Sequence, residues 1–183
     1  AVAVKAGATL TIFGGEILEG ITTGNGGGLS VMETSTVVIY DIFIKNCSAI
    51  LGGGLYVDSD ANVTIYDAEI VECSAQNGGG LYCKGDKIII SNINIVSNKA
   101  IQDNAIVDSG LGGGAYFGQV PKIYQAEIKY NSAELGGGIY LASCETQFGL
   151  GRVGAIAVYG NTAEENGGGI YAKTSFVANG LSI

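Results

Sequence analysis

The chain has 183 residues, 47% of them hydrophobic and 14% charged, with a formal net charge of −8. This apolar content argues against intrinsic disorder, and the length suffices for one domain with a sizeable core. The acidic balance and the lack of a basic patch argue against nucleic acid as a partner, because phosphates would be repelled. Because no apolar run reaches the roughly 18 residues of a membrane span, no span is predicted in this segment.

The cysteine and histidine counts limit the possible chemistry. Four cysteines are too sparse for a disulfide scaffold, and the absence of histidine argues against a zinc site. Imidazole acid–base catalysis is excluded for the same reason. The one arginine, Arg152, lies in an irregular glycine-rich stretch. No catalytic residue, metal or cofactor is therefore predicted.

An internal repeat is the main signal in the sequence. Glycine accounts for 31 residues, against roughly 13 from average usage. Triple glycines begin at Gly26, Gly52, Gly78, Gly112, Gly136 and Gly167. The steps between them are 26, 26, 34, 24 and 31 residues. An insertion near 101–110 explains the longest step, and an irregular coil is expected near 142–154.

Each repeat unit contains three predicted strands in a fixed order. The first follows the glycines, as in 55–57, the second is typified by 64–66, and the third by 69–71. A small polar segment ending in alanine leads to the next glycines. Alternation of apolar and polar residues predicts that Leu55 and Val57 point inward and Tyr56 outward. Two inward rows are expected, at Ile12, Ile39, Ile65, Ile90 and Ile123, and at Ile17, Ile44, Ile70, Ile95, Ile128 and Val158.

The same residue types recur at the same position of every repeat unit, which favours a coil over separate hairpins. Asn-Gly pairs such as 77–78 also favour hairpins, but a hairpin sheet does not require the same residue type every 26 residues. Stacking equivalent residues about 4.8 Å apart does require it. The predicted fold is therefore all-β: a single-stranded parallel β-helix of six to seven coils. Residues 1–183 form one domain, expected to be a piece of a longer solenoid that aggregates or forms filaments when isolated.

The segments 131–140 and 161–171 resemble polymorphic outer membrane protein-type repeats. Both combine an asparagine, a glycine run and an aliphatic residue. The resemblance spans the chain and implies a right-handed parallel β-helix on a cell surface, as in adhesins or autotransporter passengers. The sequence departs from the family in its third glycine, in the tyrosine that follows the aliphatic residue, and in Cys47 and Cys73, which replace the asparagine.

Aromatic residues form two rows at equivalent repeat positions. The first row, which is predicted to face outward, contains Tyr56, Tyr82, Tyr116, Tyr140 and Tyr171. A second, partial row contains Phe13, Tyr40, Tyr66 and Tyr124. Stacked rings stabilise neighbouring coils. An aromatic strip also suits a glycan or a partner protein, so the five tyrosines are candidates for surface binding as well as for stability.

The asparagine row of Asn98, Asn131 and Asn161 predicts an internal hydrogen-bonded ladder. Cys47 and Cys73 replace it in adjacent coils, where their spacing allows a disulfide. Two buried free thiols are the alternative. Cys83 is expected to fill the core, and Cys144 falls in a loop.

Further candidate sites are modifications and a weak metal site. Asn46 and Asn62 begin N-glycosylation sequons, which matter only in a secreted eukaryotic protein. Asp41 and Asp67 stack in one row and are weak candidates for a calcium site. Solvated turn formation is the alternative for such residues.

The pattern as a whole predicts a non-enzymatic extracellular or cell-surface scaffold, either adhesin-like or part of a surface filament. Its expected partners are neighbouring coils or subunits, and a host-surface protein or glycan. The alternative is a β-helix that binds or degrades polysaccharide, as a lyase or hydrolase does. Degradation would require carboxylates at a set separation or a basic residue beside them, and no such cluster is evident.

Overall fold

A computed structural model describes residues 1–119, 121–143, 147–148, 156–175, 177–178 and 180–183. In these residues the secondary structure is all β, and every strand pair is parallel. The chain winds in about six coils, and each strand pairs with the equivalent strands of the neighbouring coils. The fold is therefore the parallel β-solenoid that the repeat predicts.

Sheet 1 is formed by the first strand, Val2–Val4, and by the six strands that follow the triple glycines. Its seven strands are Val2–Val4, Leu29–Val31, Leu55–Val57, Leu81–Cys83, Ala115–Phe117, Ile139–Leu141 and Ile170–Ala172. The register is unbroken, so that Leu55 pairs with Leu81 and Val57 with Cys83. Cys83 is fully buried and fills the core as predicted.

Sheet 2 is formed by the second strand of the first five coils. Its five strands are Thr9–Ile12, Thr36–Ile39, Asn62–Ile65, Ile88–Ile90 and Lys122–Ile123. Ile39 pairs with Ile65 and Ile65 with Ile90, which confirms the first inward row. The alternate side chains of this sheet face away from the core.

Sheet 3 is formed by the third strand of each coil. Its seven strands are Glu16–Leu18, Phe43–Lys45, Glu69–Val71, Ile93–Val96, Ala126–Lys129, Ile156–Tyr159 and Leu181–Ser182. Ile44 pairs with Ile70, and Ile128 with Val158, which confirms the second inward row.

A fourth strand, present in several coils, refines the prediction of three strands per coil. Sheet 4 contains Ser74–Ala75, Lys99–Ala100, Ser132–Leu135 and Thr162–Asn166. It is built from the small polar segment before the glycines, whose residues give little strand signal in the sequence. A separate pair joins Gln147–Phe148 to Val177–Ala178. The rest of the irregular stretch near 142–154, including Cys144 and Arg152, lies mostly outside the described residues.

The core is one continuous apolar column enclosed by the sheets. Ile65, Ile70 and Leu81 are fully buried within it, and like residues from successive coils pack on each other. Burying an aliphatic side chain of this size stabilises the fold by about 1.5–3 kcal/mol. The column holds the coils together and leaves the outward rows free to vary.

The triple glycine is required by the tight corner before sheet 1. Gly52 has a φ of +62°, which L side chains rarely adopt. A Cβ at Gly53 would collide with the carbonyl oxygens of Gly79 and Ser74, and one at Gly54 would collide with the Ile70 side chain. One glycine therefore serves the turn, and the other two allow the close approach of the next coil and the core.

Candidate functional site

The five tyrosines of the first row form a stacked ladder on sheet 1, here called the tyrosine ladder. Tyr56 pairs in register with Tyr82, and the register continues through Tyr116 to Tyr140 and Tyr171. Successive ring centroids lie 4.4–5.6 Å apart. The rings are within 16° of parallel, which is the offset stacking that aromatic pairs favour.

The tyrosine ladder is more buried than an outward position suggests. Tyr56 and Tyr140 are only 4% exposed, and the other three rings are half-buried. Tyr82, Tyr116 and Tyr140 line part of a surface depression of about 550 Å³. This burial supports a stabilising role for the ladder. Its use as a docking surface stays a prediction.

Burial also changes the acidity of the ladder. Loss of solvent raises the pKa of Tyr56 to about 12, and the nearby Asp58 carboxylate adds to the effect. Loss of solvent likewise raises the pKa of Tyr140 to about 12, with smaller effects from Tyr116 and Tyr171. These phenols therefore ionise only at a more alkaline pH than a solvent-exposed tyrosine, because ionising them inside the ladder costs free energy.

The second aromatic row is the more exposed one, and it is called here the outer row. Phe13 stacks on Tyr40 with centroids 5.0 Å apart, and Tyr40 stacks on Tyr66 at 4.9 Å. Tyr40, Tyr66 and Tyr124 are each 45% exposed. The sequence predicts this row. It does not predict that the row is more exposed than the tyrosine ladder, because exposure depends on what packs around each row.

A serine interrupts the outer row. The amide of Ser91 donates to the carbonyl of Ile65, and the amide of Tyr124 donates to the carbonyl of Ile90. Ser91 therefore occupies the ring position between Tyr66 and Tyr124. Two rung spacings place those rings about 9.6 Å apart, which leaves room for one ring between them.

The predicted calcium residues lie beside the outer row. Asp41 and Asp67 are exposed at equivalent positions, and the side-chain amide of Asn92 donates to Asp67 at 2.6 Å. Among the described residues, no group of three or more cysteines, aspartates or glutamates is placed to hold a metal ion. Calcium at Asp41 and Asp67 stays a prediction.

The asparagine row forms a buried ladder at the corner after sheet 3. The backbone amide of Asn98 donates to Oδ1 of Asn131 at 2.8 Å, and the amide of Asn131 donates to Oδ1 of Asn161 at 2.9 Å. The side-chain amide of Asn131 donates to the carbonyl of Ile95. Asn98 and Asn131 therefore each join three coils.

The residue before each ladder position adopts a left-handed conformation. Asn46, Glu72, Ser97 and Tyr130 have φ values of 54–59°. Such values are rare outside glycine. The hydrogen bonds of the ladder residue that follows help to hold this turn.

Cysteine replaces asparagine in the ladder at positions 47 and 73. Cys73 Sγ accepts a hydrogen bond from the Cys47 amide at 3.4 Å, and the Cys73 amide donates to Asn98 Oδ1 at 2.9 Å. The structure contains both as buried free thiols, which is the alternative to the disulfide candidate. The sulfur contact with Cys47 and burial both raise the pKa of the Cys73 thiol, so that this thiol stays protonated.

The two candidate glycosylation residues are accessible. Asn46 lies at the left-handed corner with φ 54°, and Asn62 begins a strand of sheet 2. Both side chains are exposed. Their modification stays a prediction.

The insertion carries a concave surface that the sequence did not identify as a site. Ala75 pairs with Ala100, and Asn77 bridges to Leu111. Between these two paired positions the previous coil has one residue, Gln76, whereas this coil has residues 101–110. Residues 101–110 are called here the insert. The insert borders a groove of about 830 Å³ along sheet 4. The unequal repeat step was the signal that could have marked it.

Comparison with known proteins gives one family match. A model of the Chlamydia polymorphic membrane protein repeat matches residues 155–173. This segment includes the ladder residue Asn161, a triple glycine and Tyr171. No curated protein and no solved structure gives a significant match.

In the described part of the chain there is no helix that is long and apolar enough to cross a membrane. The matched family suggests a surface or outer membrane protein with a β-helix scaffold. The repeat match and the parallel coils together fit a β-helix repeat protein of the polymorphic membrane protein type.

Proposed function

We propose that the chain is a non-enzymatic, adhesin-like scaffold that presents side chains and one loop from a β-helix on the cell surface. The observation that carries the proposal is the repeat match to a family of surface type, on a fold made of stacked coils. The matched repeat family is not an enzyme family.

The division between core and surface supports this role. Inward residues stay apolar from coil to coil along the column, whereas outward positions outside the two aromatic rows vary. A solenoid gains its stability from contacts between neighbouring repeats. Its outer rows and inserted loops can therefore change without loss of the fold, which suits a protein that presents binding surfaces.

Labelling of intact cells of the source organism tests the surface location. Antibodies raised against the exposed insert should label intact and permeabilised cells equally. A cytoplasmic protein serves as the control that is labelled only after permeabilisation. Labelling that also requires permeabilisation for this chain would count against the proposal.

Adhesion itself requires a second experiment. Beads coated with the purified chain should bind host cells more than beads coated with a denatured sample of the same chain. Equal binding by the two bead types would leave a surface scaffold without an adhesive role.

The gap in the outer row favours glycan binding as a second candidate function. Tyr66 and Tyr124 offer ring faces on either side of Ser91, and Asp67 and Asn92 place polar groups beside them. Sugars bind by stacking on aromatic faces and by hydrogen bonding to such groups. Affinity electrophoresis in polysaccharide gels tests this function. Ser91→Tyr fills the gap and should abolish retardation, whereas Thr64→Ser should not.

A further inference from the structure

The insert is rigidly organised, although it lies outside the coils. The Asp103 amide donates to Ser109 Oγ at 2.8 Å, and that hydroxyl donates in turn to the Ile106 carbonyl at 3.0 Å. The Ala105 amide donates to Asp103 Oδ1 at 3.0 Å. Ser109 is buried. The loop therefore has a defined shape before any partner arrives.

Neighbouring coils fix the insert at both ends. Its first amide, Ile101, donates to the Ala75 carbonyl at 2.7 Å, and its last, Gly110, donates to the Gln76 carbonyl at 2.8 Å. The Asn77 side chain donates to the Asp108 carbonyl at 2.9 Å. A surface held in this way loses little conformational entropy on binding.

The groove beside the insert has a floor of small residues and aliphatic edges. Its floor includes Ser48, Ala49, Ser74 and Ala75, and the insert forms one wall. Ile50 and Ile101 lie along it and are 41% and 46% exposed. The groove crosses four coils, or about 14 Å at the spacing of stacked strands.

The tip of the insert exposes further apolar surface. Ile106 is 46% exposed and Val107 is 90% exposed. The fold gains nothing from this exposure. Contiguous apolar surface on a rigid loop is characteristic of interaction sites.

The charged side chains that line the insert are acidic, and the exposed Lys99 lies beside Ser74 outside both linings. Asp103, Asp108 and Glu134 line its far side, together with the exposed Val107. Partial burial raises the pKa of Glu134, and the nearby Glu165 and Glu164 carboxylates raise it further. Neither side of the insert is lined by a lysine or an arginine among the described residues. A cationic partner would relieve this repulsion.

We propose that the groove docks an extended peptide segment in which aliphatic side chains alternate with lysine or arginine. Aliphatic groups would lie on the small-residue floor between Ile50 and Ile101, and the cationic groups would reach Asp103 and the carboxylates beyond it. About four extended residues span the groove. The inference deepens the adhesin-like function and rests on it for its biological meaning.

Titration with an acetylated, amidated peptide of four Val-Lys repeats tests the inference on the purified chain, followed by amide NMR. The expected result is shifts confined to residues 48–50, 74–76 and 101–109 and to Glu134. A peptide of four Val-Glu repeats should cause none. Shifts spread evenly over the acidic surface, or equal shifts with both peptides, would overturn the proposal.

Two variants test the apolar contribution and its location. Ile50→Ser with Ile101→Ser should weaken binding of the Val-Lys peptide at least tenfold. Leu18→Ser, which removes a 52% exposed aliphatic side chain from sheet 3, should leave binding unchanged. Equal loss in both variants would overturn the proposed location.

A salt series on the unaltered chain needs no variant. Affinity should fall as ionic strength rises, because charges at the groove edge are screened. Affinity independent of salt would overturn the ionic part of the proposal. None of these outcomes depends on where the protein is located in the cell, so that the proposed surface role stands or falls separately.

Discussion

The tyrosine ladder and the outer row share their stacking geometry but differ in exposure. Tyr140 stacks on Tyr116 with centroids 5.2 Å apart, and Tyr66 stacks on Tyr40 at 4.9 Å. Tyr140 is 4% exposed, whereas Tyr66 is 45% exposed. Both rows therefore have stacked rings, and the packing around each row determines how exposed its rings are.

The difference indicates that a stacked aromatic row has two different roles in this fold. A ring buried on all sides contributes transfer free energy as well as stacking, whereas an exposed ring contributes mainly stacking. The buried ladder therefore holds coils together. The exposed row leaves ring edges and one gap open to solvent.

The largest expected effect comes from removing a buried ring. Tyr140→Ala should lower the free energy of unfolding by about 3–4 kcal/mol, because a nearly buried aromatic side chain is lost and a cavity is left. Urea denaturation followed by circular dichroism measures this loss. A decrease below about 1 kcal/mol would place Tyr140 in the same class as an exposed residue.

The second-largest expected effect is a loss of fold stability at alkaline pH, caused by ionisation of the tyrosine ladder. The raised pKa of Tyr140, about 12 against an ordinary value of 10.0, means that the folded state favours the neutral phenol. That stability is complete below pH 10 and is lost as the pH rises towards 12.

Thermal unfolding measured between pH 9 and 12 checks this expectation. Tyr140→Phe should reduce the fall in melting temperature, because phenylalanine has no proton to lose. The matched exposed variant, Tyr66→Phe, keeps the Tyr140 phenol and should retain most of the fall. Identical profiles for the two variants would contradict the assignment.

A smaller effect is expected for the exposed row. Tyr66→Ala should cost about 1 kcal/mol, since mainly stacking against Tyr40 is lost. The same denaturation experiment measures it beside Tyr140→Ala. Equal costs for the two substitutions would remove the distinction between the rows.

The smallest expected effect comes from completing the outer row. Ser91→Tyr should stabilise the fold by about 0.5 kcal/mol, because a ring placed between Tyr66 and Tyr124 extends the stack. Ser91→Ala is the control and should have little effect. Destabilisation by the tyrosine would show that the gap does not have the width of one ring.

The repeat alone predicts the coil, the inward rows and the asparagine ladder. Residues such as Ile65 and Asn131 recur at fixed phase, and parallel stacking places each one on its equivalent. The fourth strand was not predicted, because Ser74 and Ala75 have no strand-like composition.

The burial of the tyrosine ladder and the groove beside the insert could not be predicted in the same way. Alternation along a strand places Tyr140 away from the core but does not reveal what surrounds it. The insert has no counterpart in other coils, so that no periodicity fixes its path. Its shape depends on hydrogen bonds such as those of Ser109, which join residues only after the loop has folded.

Contacts between the ring protons of the tyrosine ladder test the central claim, parallel stacking in register, most directly. Centroids 4.4 Å apart for Tyr82 and Tyr116, and 5.2 Å apart for Tyr116 and Tyr140, predict strong nuclear Overhauser effects between these rings. Specific labelling of tyrosine in the intact chain makes them measurable. Cross-peaks linking Tyr82 to Tyr116 and Tyr116 to Tyr140 would support the account. Their absence in a folded sample would contradict it.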